Sequence, residues 1–162
     1  MSTIMITGGS GFLGTYVARM LAERGDRVII FDAVGPAAEL ATLTAPYERQ
    51  IVLVRGQILD LSSLLRCVQQ HKVERIFHAA ALYDPPYSLE EPALTFQVNV
   101  NGTIHVLEAA RLQVYKGSCR VAALLSMRPA SMNQLTSGIP YLCLQQAIRW
   151  DRTEPQRPQQ RL

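Results

Sequence analysis

The sequence contains little that would support a disulfide framework, a metal site or a membrane anchor. Its three cysteines, Cys67, Cys119 and Cys143, are widely and irregularly spaced, so we expect reduced thiols and no metal knuckle. No apolar run reaches the roughly 18 residues that a membrane helix needs. The start, MSTIMITGG, lacks the charged region and the cleavage site of a signal peptide. We therefore expect a cytoplasmic protein with no membrane partner.

Charge is also scarce and is unevenly distributed along the 162 residues, of which 48% are apolar and 18% charged. Residues 1–113 carry 9 Lys and Arg against 11 Asp and Glu, whereas residues 114–162 carry 7 against 2. This shift predicts one globular domain over 1–113 and an atypical basic tail over 114–162, whose end, TEPQRPQQRL, is typical of disorder. Because no recognised nucleic-acid-binding fold lies beside this tail, we expect no nucleic-acid partner.

Short β-branched runs alternate with segments of helical periodicity. The runs predict strands over 3–7, 27–31, 51–54 and 75–80. Helices are predicted after Gly11, over 61–71 with Asp60 as N-cap, and over 92–112. In the last of these helices the apolar positions recur every three to four residues and predict a core-facing stripe of Phe96, Val100, Ile104, Leu107 and Ala110. The fold class is therefore α/β, a Rossmann-type doubly wound parallel sheet that is truncated to four to five strands.

A glycine-rich turn between the first strand and the first helix carries the clearest chemical signal. In TGGSGFLG, Gly8 permits the sharp turn, Gly11 lets a pyrophosphate approach the backbone, and Gly14 allows the helix to pack on the sheet. The N–H groups of Phe12 and Leu13 then point toward the phosphates.

Asp32 ends the second strand, where a carboxylate can accept hydrogen bonds from a ribose diol. The pattern predicts NAD as the cofactor, and NAD rather than NADP, because the carboxylate would repel a 2′-phosphate. The alternative interpretation of Asp32 is a plain helix or turn cap.

Four motifs follow one another within residues 3–113: TGGSGFLG, GQILD at 56–60, HAAA at 78–81, and the segment from Asn99 to Ala110. In this order they are similar to TGxxGxxG, GDxxD, HxAA and NVxGTxxLLEAA. Residues 3–113 therefore resemble the extended short-chain dehydrogenase/reductase family of the NAD-dependent epimerase/dehydratase type, in which these four motifs occur. The resemblance implies that Gln57 and Ile58 flank the adenine, that Ala79 and Ala80 line the nicotinamide side, and that Asn99 lies on the helix behind the cofactor. Gln57 replaces the family's usual Asp.

Two other features near this site have a purely structural interpretation as an alternative to a functional one. His78 is interpreted as a core histidine at a strand end rather than a catalytic group. The segment Tyr83–Tyr87 is interpreted as a loop over the site, although aromatic and proline residues in loops usually only pack.

The family's catalytic Tyr–Lys pair is missing, so we predict no catalytic residues in this chain. The last lysine is Lys116, and Tyr141 is followed four residues later by Gln145. Reading residues 114–129 with permitted codons and one restored base yields GVQRVVSCSSAAVYAP, which is similar to the family's fifth strand and serine signature. We therefore expect a one-base frameshift after Gln113, in the gene or in its sequencing. The alternative is a diverged tail in which Val121–Leu125 forms a fifth strand.

These observations leave two functional hypotheses. In the first, the chain is the NAD-binding part of an oxidoreductase of the epimerase/dehydratase type, acting on a nucleotide-sugar or similar carbinol and catalytically impaired in this truncated chain. Its partners would be the dinucleotide, a small-molecule substrate in a full-length parent only, and a second copy in a homo-oligomer. In the second, it is a non-catalytic NAD-binding regulatory or interaction module.

Overall fold

The computed structural model of the chain describes residues 1–35, 38–114 and 120–123, all within one compact unit, Met1–Ser126. The strands are β1 (Thr3–Thr7), β2 (Arg27–Asp32), β3 (Ile51–Arg55), β4 (Arg75–His78) and β5 (Arg120–Ala123). The helices are α1 (Phe12–Glu23), α2 (Ala38–Thr44), α3 (Leu61–Gln70), α4 (Pro85–Glu90), α5 (Pro92–Phe96) and α6 (Gly102–Val114). A 3₁₀ turn, Ala45–Tyr47, follows α2, and a π-helical turn, Gln97–Asn101, joins α5 to α6.

All described strand pairs are parallel, in the order β3-β2-β1-β4-β5. The chain builds outward from β1 through β2 to β3, then crosses back over β1 to add β4 and β5. The strand order therefore reverses between β1 and β4, and in parallel α/β sheets ligands bind at such a switch point, beyond the carboxyl ends of the strands. The predicted Rossmann-type sheet is confirmed.

The predicted strands are confirmed with adjusted ends. β4 ends at His78, so the prediction that it runs to residue 80 was wrong. Ala79 still donates its N–H to the Thr7 carbonyl, 3.0 Å away, but beyond it the chain leaves the ladder where Gly8 crosses close to Ala80. A fifth strand, Arg120–Ala123, pairs with β4, and it overlaps at residues 121–123 the strand that the alternative interpretation of the tail placed at Val121–Leu125. Leu124, Leu125 and the C-terminal sequence expected to be disordered lie outside the described residues.

The core lies mainly between the sheet and the helices α3 and α6. Alternate strand residues Met5, Ile29 and Ile76 are fully or almost fully buried there against Leu64 of α3 and Val106 of α6. The predicted N-cap of α3 is confirmed, because the Asp60 carboxylate accepts a hydrogen bond of 3.0 Å from the Ser63 N–H. No helix in the described ranges is long and apolar enough to cross a bilayer.

The cysteine expectation can be followed at one position. Cys67 of α3 is a buried, unbridged thiol, and burial raises its pKa to about 11. The thiol therefore stays protonated at neutral pH and is a poor nucleophile. Cys119 and Cys143 lie outside the described residues.

The predicted core stripe of the 92–112 helix was wrong. Phe96, Val100, Ile104 and Leu107 are 60, 39, 55 and 48% exposed, and of the predicted set only Ala110 is buried. The residues that face the core are Gly102, Val106, Ala109 and Ala110. Three of these four are small, which lets the helix approach its neighbours closely, so the large apolar residues are left on the outer face. In addition, the π-helical turn interrupts the regular period that the prediction assumed.

Candidate functional site: a cavity at the carboxyl ends of four strands

A cavity of about 610 Å³ opens at the switch point of the sheet. It is lined by the end of β2, by the segments that follow four strands, and by three residues from the helical region after β4. The lining residues are Gly8, Ser10, Gly11, Phe31, Asp32, Ala33, Val34, Gly35, Gly56, Gln57, Ile58, Leu59, Ala79, Ala80, Ala81, Leu82, Tyr87, Leu94 and Val98. The volume is within the range of cofactor and ligand pockets in proteins.

One glycine of the turn after β1 and one glycine of α1 are required by the protein itself. Gly8 has φ +70°, and a Cβ there would lie 2.6 Å from the backbone of Ala80. A Cβ on Gly14 would lie 2.5 Å from the Gly9 Cα and would also overlap the Gly8 carbonyl oxygen. The left-handed turn and the close approach of α1 to the turn therefore exclude any side chain at either position.

Gly11 is different, because nothing in the described chain requires it to be glycine. Its φ of −75° and ψ of 169° are open to any residue, and a Cβ there would meet only the Gly8 carbonyl oxygen, at 3.4 Å. Gly11 lines the cavity directly before α1 begins, where the first-turn N–H groups have no intrahelical acceptor. The missing side chain keeps this surface open to a group outside the protein, and an anion suits the helix N-terminus.

Asp32 joins two segments of the cavity wall. One carboxylate oxygen accepts a 2.9 Å hydrogen bond from the Ser10 N–H, and the other accepts a 3.0 Å bond from the Val34 N–H. The carboxylate thus caps two turns, as the alternative interpretation proposed. It also lines the cavity, and each oxygen retains a lone pair that can accept a further hydrogen bond.

The segment after β3 forms one side of the cavity. Its predicted residues, Gln57 and Ile58, both line the cavity, with Gln57 exposed and Ile58 only 7% exposed. The Ile58 carbonyl accepts a 3.1 Å hydrogen bond from Nδ1 of His105 in α6. This segment is therefore held to the helix behind it.

The segment after β4 forms the opposite side, and Asn99 holds it in place. The Asn99 side chain accepts a 2.8 Å hydrogen bond from the Leu82 N–H and donates one of 3.0 Å to the Leu82 carbonyl. Ala79, Ala80 and Leu82 line the cavity, whereas Asn99 lies behind them and is not part of the lining.

His78 is a structural residue, as the core interpretation proposed. It is 5% exposed, with Nδ1 2.6 Å from the Thr7 hydroxyl and Nε2 3.0 Å from the Thr103 hydroxyl. Thr103 donates its single hydroxyl hydrogen to the Asn99 carbonyl, so Nε2 must carry the imidazole proton and Nδ1 must accept from Thr7. Burial lowers the pKa of His78, which keeps the ring neutral in this chain of bonds.

The cavity brings together seven of the eleven residues predicted to bind the cofactor: Gly8, Gly11, Asp32, Gln57, Ile58, Ala79 and Ala80. Gly14 lies inside α1 and Asn99 behind the wall, while the side chains of Phe12 and Leu13 are outside the lining. Any contribution from Phe12 and Leu13 would come from their backbone N–H groups.

Sequence reasoning missed most of the remaining wall. Ser10, Ala33, Val34, Gly35, Gly56, Leu59, Ala81 and Leu82 adjoin predicted strand ends, which is a signal that could have found them. Leu94 and Val98 come from helical segments and have no such signal. The prediction of a loop over Tyr83–Tyr87 was wrong in part, because α4 begins at Pro85. Tyr87, which belongs to α4, lines the cavity.

The fold and the cavity define a class: an α/β protein of the Rossmann type whose glycine-rich turn, acidic second strand end and switch-point cavity match those of dinucleotide-binding domains. The family model described as GDP-mannose 4,6 dehydratase matches residues 5–124. The chain therefore belongs to this family, and the resemblance to the NAD-dependent epimerase/dehydratase type is confirmed.

Similar proteins agree with this assignment. The chain is 34% identical over 108 residues to a UDP-glucose 4-epimerase of Yersinia enterocolitica, covering 65% of this chain and 32% of the relative. It is 35% identical over 112 residues to a dTDP-glucose 4,6-dehydratase of Xanthomonas campestris pv. campestris, covering 68% and 32%. A crystal structure of UDP-glucose 4-epimerase from Brucella ovis in complex with NAD is similar with a TM-score of 0.61 and 28% identity, covering 70% of this chain and 33% of that one. The chain thus spans about a third of the length of the curated relatives that it matches.

Proposed function

We propose that the chain binds NAD in the cavity at the carboxyl ends of β1 to β4. The pyrophosphate would lie on the turn from Gly8 to Gly11, at the N-terminus of α1. Asp32 would accept the ribose hydroxyls, Gln57 and Ile58 would flank the adenine, and Ala79 and Ala80 would line the nicotinamide side. The observation that carries the proposal is Gly11, which faces the cavity although its backbone angles and its packing in the protein would admit a side chain.

The geometry of Asp32 supports NAD over NADP. Its carboxylate is already oriented by two backbone N–H groups, so it does not have to be ordered when a ligand arrives. A carboxylate held in this way accepts hydrogen bonds from the free hydroxyls of a ribose. The same carboxylate would repel the negative charge of a 2′-phosphate.

We further propose that this NAD site belongs to an oxidoreductase of the epimerase/dehydratase type that acts on a nucleotide-sugar or similar carbinol. The names of the relatives support this substrate class. The bound nicotinamide would supply hydride transfer, and this chain's residues would bind and orient it. The chain contains no tyrosine followed four residues later by lysine, so it lacks the family's acid–base pair.

That last observation also favours the second candidate, a non-catalytic NAD-binding regulatory or interaction module. Several further statements remain predictions from the sequence. They are the boundary and frameshift near Gln113, a homo-oligomer, a cytoplasmic location, and the absence of nucleic-acid and membrane partners.

Calorimetric titration of the purified chain with NAD and NADP tests the binding proposal. We expect binding of NAD that is tighter than that of NADP and is lost in Gly11→Val, while Ile104→Ala, on the exposed outer face of α6, binds like the parent chain. No binding of NAD, or equal binding by Gly11→Val, would refute the proposal.

Incubation of the chain and NAD with UDP-glucose or dTDP-glucose tests the non-catalytic module, because reduced nicotinamide or an altered sugar above background would contradict it. An impaired oxidoreductase and a non-catalytic module both predict no product, so the gene sequence downstream of the codon for Gln113 separates them. A downstream frame that encodes a tyrosine followed four residues later by lysine supports the oxidoreductase, and its absence supports the module.

A further inference from the structure

One short stretch of the helix behind the cavity contacts both side walls of the cavity. Asn99, Gly102 and His105 follow one another at intervals of three residues, from the π-helical turn into α6. Residues at this spacing lie close together on a helix surface. The three residues contact the backbone or the side chain of segments that line the cavity on opposite sides.

On the β4 side, the contact is a pair of hydrogen bonds to a single residue. Asn99 engages both the N–H and the carbonyl of Leu82, at 2.8 and 3.0 Å. An amide that bonds both backbone groups of one residue restrains the two peptide units on either side of that residue. The far end of this wall, at Leu82, is therefore held by Asn99, while Ala79 at its start is bonded to Thr7 of β1.

On the β3 side, the contact combines a hydrogen bond with close packing. His105 donates from Nδ1 to the Ile58 carbonyl, 3.1 Å away. The Ile58 side chain packs onto Gly102, where an added Cβ would overlap its Cδ1 and Cγ1 atoms. The segment from Gly56 to Leu59 is thus held to α6 by a hydrogen bond to its backbone and by the Ile58 side chain, which packs directly against a glycine.

We propose that Asn99 and His105 are positioning residues that set the two walls of the cavity independently, Asn99 for the wall after β4 and His105 for the wall after β3. Neither side chain lines the cavity, so both act through the backbone that they hold. The part of the inference that concerns ligands rests on the proposed NAD function. It then follows that His105 governs the adenine half of the cofactor site and Asn99 the nicotinamide half.

Amide hydrogen exchange in the ligand-free chain tests the walls without any ligand. Asn99→Leu keeps the approximate size of the side chain and loses both hydrogen bonds, while His105→Phe keeps a ring and loses the donor. We expect Asn99→Leu to speed amide exchange about three- to tenfold in the segment 80–84 and to leave exchange in 56–60 unchanged. A change of this size corresponds to the loss of one or two hydrogen bonds. His105→Phe should show the reverse pattern. His105→Asn, which restores an N–H donor near Nδ1, should recover part of the protection, and Ile104→Ala serves as the control.

Titration with NAD and with AMP then tests whether His105 and Asn99 act on different halves of the cofactor site. His105→Phe should weaken both ligands by about three- to tenfold, because both contain the adenine half. Asn99→Leu should weaken NAD by a similar factor and leave AMP unchanged. Loss of both ligands in both variants, or changes in exchange spread over both walls, would overturn the proposal. Absence of NAD binding by the parent chain would refute the proposed function, while the exchange pattern would still decide the positioning roles.

Discussion

Replacing Gly11 by alanine adds one methyl group at the rim of the cavity, and replacing Gly14 adds the same group inside the protein. At Gly11 the methyl group meets only the Gly8 carbonyl oxygen, at 3.4 Å, and the backbone angles suit alanine. The lower entropy of the unfolded alanine chain adds about 0.4–1 kcal/mol of stability, and its weaker N-capping costs a similar amount. The free energy of unfolding should therefore change by less than about 1 kcal/mol.

At Gly14 the same methyl group would lie 2.5 Å from the Gly9 Cα, so backbone must move. Overpacking of this kind costs about 1–3 kcal/mol. Since 1 kcal/mol corresponds to about 2–4 °C in a chain of this size, Gly14→Ala should lower Tm by about 2–12 °C and Gly11→Ala should change it by less than about 4 °C.

The effects on NAD binding should not follow this order. In Gly11→Ala the methyl group occupies the space that the pyrophosphate would need, so affinity should fall at least about tenfold, or about 1.4 kcal/mol. Differential scanning calorimetry and titration calorimetry on both variants measure the two quantities. Unchanged NAD affinity in Gly11→Ala would refute the reasoning, and so would a loss of stability equal to that of Gly14→Ala.

Three further predictions concern the carboxylate, the buried imidazole and the orientation of α6. Asp32→Asn cannot accept hydrogen bonds from both of its backbone partners, so it should lose about 1–2 kcal/mol of stability and most of the preference for NAD over NADP. Titration with both cofactors measures this preference, and an unchanged preference would contradict the prediction. Burial lowers the pKa of His78 in the folded chain below its ordinary value of 6.5, so the unfolded chain binds a proton at a higher pH than the folded chain does. The free energy of unfolding should therefore decline as the pH falls below 6.5. Urea unfolding at several pH values should show a shallower decline in His78→Gln, with a remainder from His71, whose pKa burial also lowers; an equal decline in the variant would exclude His78 as the cause. Ile104→Ala should change stability by less than about 0.5 kcal/mol and Val106→Ala by about 1–3 kcal/mol, because only Val106 is buried; the opposite order in urea unfolding would place the core on the other face of α6.

The glycine-rich turn shows how far local sequence signals reach. The run TIMIT followed by TGGSGFLG predicts strand, turn and helix from neighbouring residues alone, and the structure has all three at those positions. Sequence could also anticipate that Asp32 ends a strand beside this turn. It could not reveal that the Asp32 carboxylate accepts a hydrogen bond from the Ser10 N–H, because that contact joins residues 22 positions apart and depends on how β1 and β2 align.

The sequence alone determined the order of strands and helices, the glycine turn and Asp32, because each depends on residues close together along the chain. It also determined the parallel sheet, because strands that alternate with helices along the chain pair in parallel. The tertiary structure decided which face of α6 is buried. Small residues at Gly102 and Ala109 allow close packing there, so Ile104 and its large apolar neighbours turn outward. It also decided that Asn99 holds Leu82 instead of lining the cavity, since 17 residues separate the two and only the folded arrangement of β4 and the π-helical turn brings them into contact.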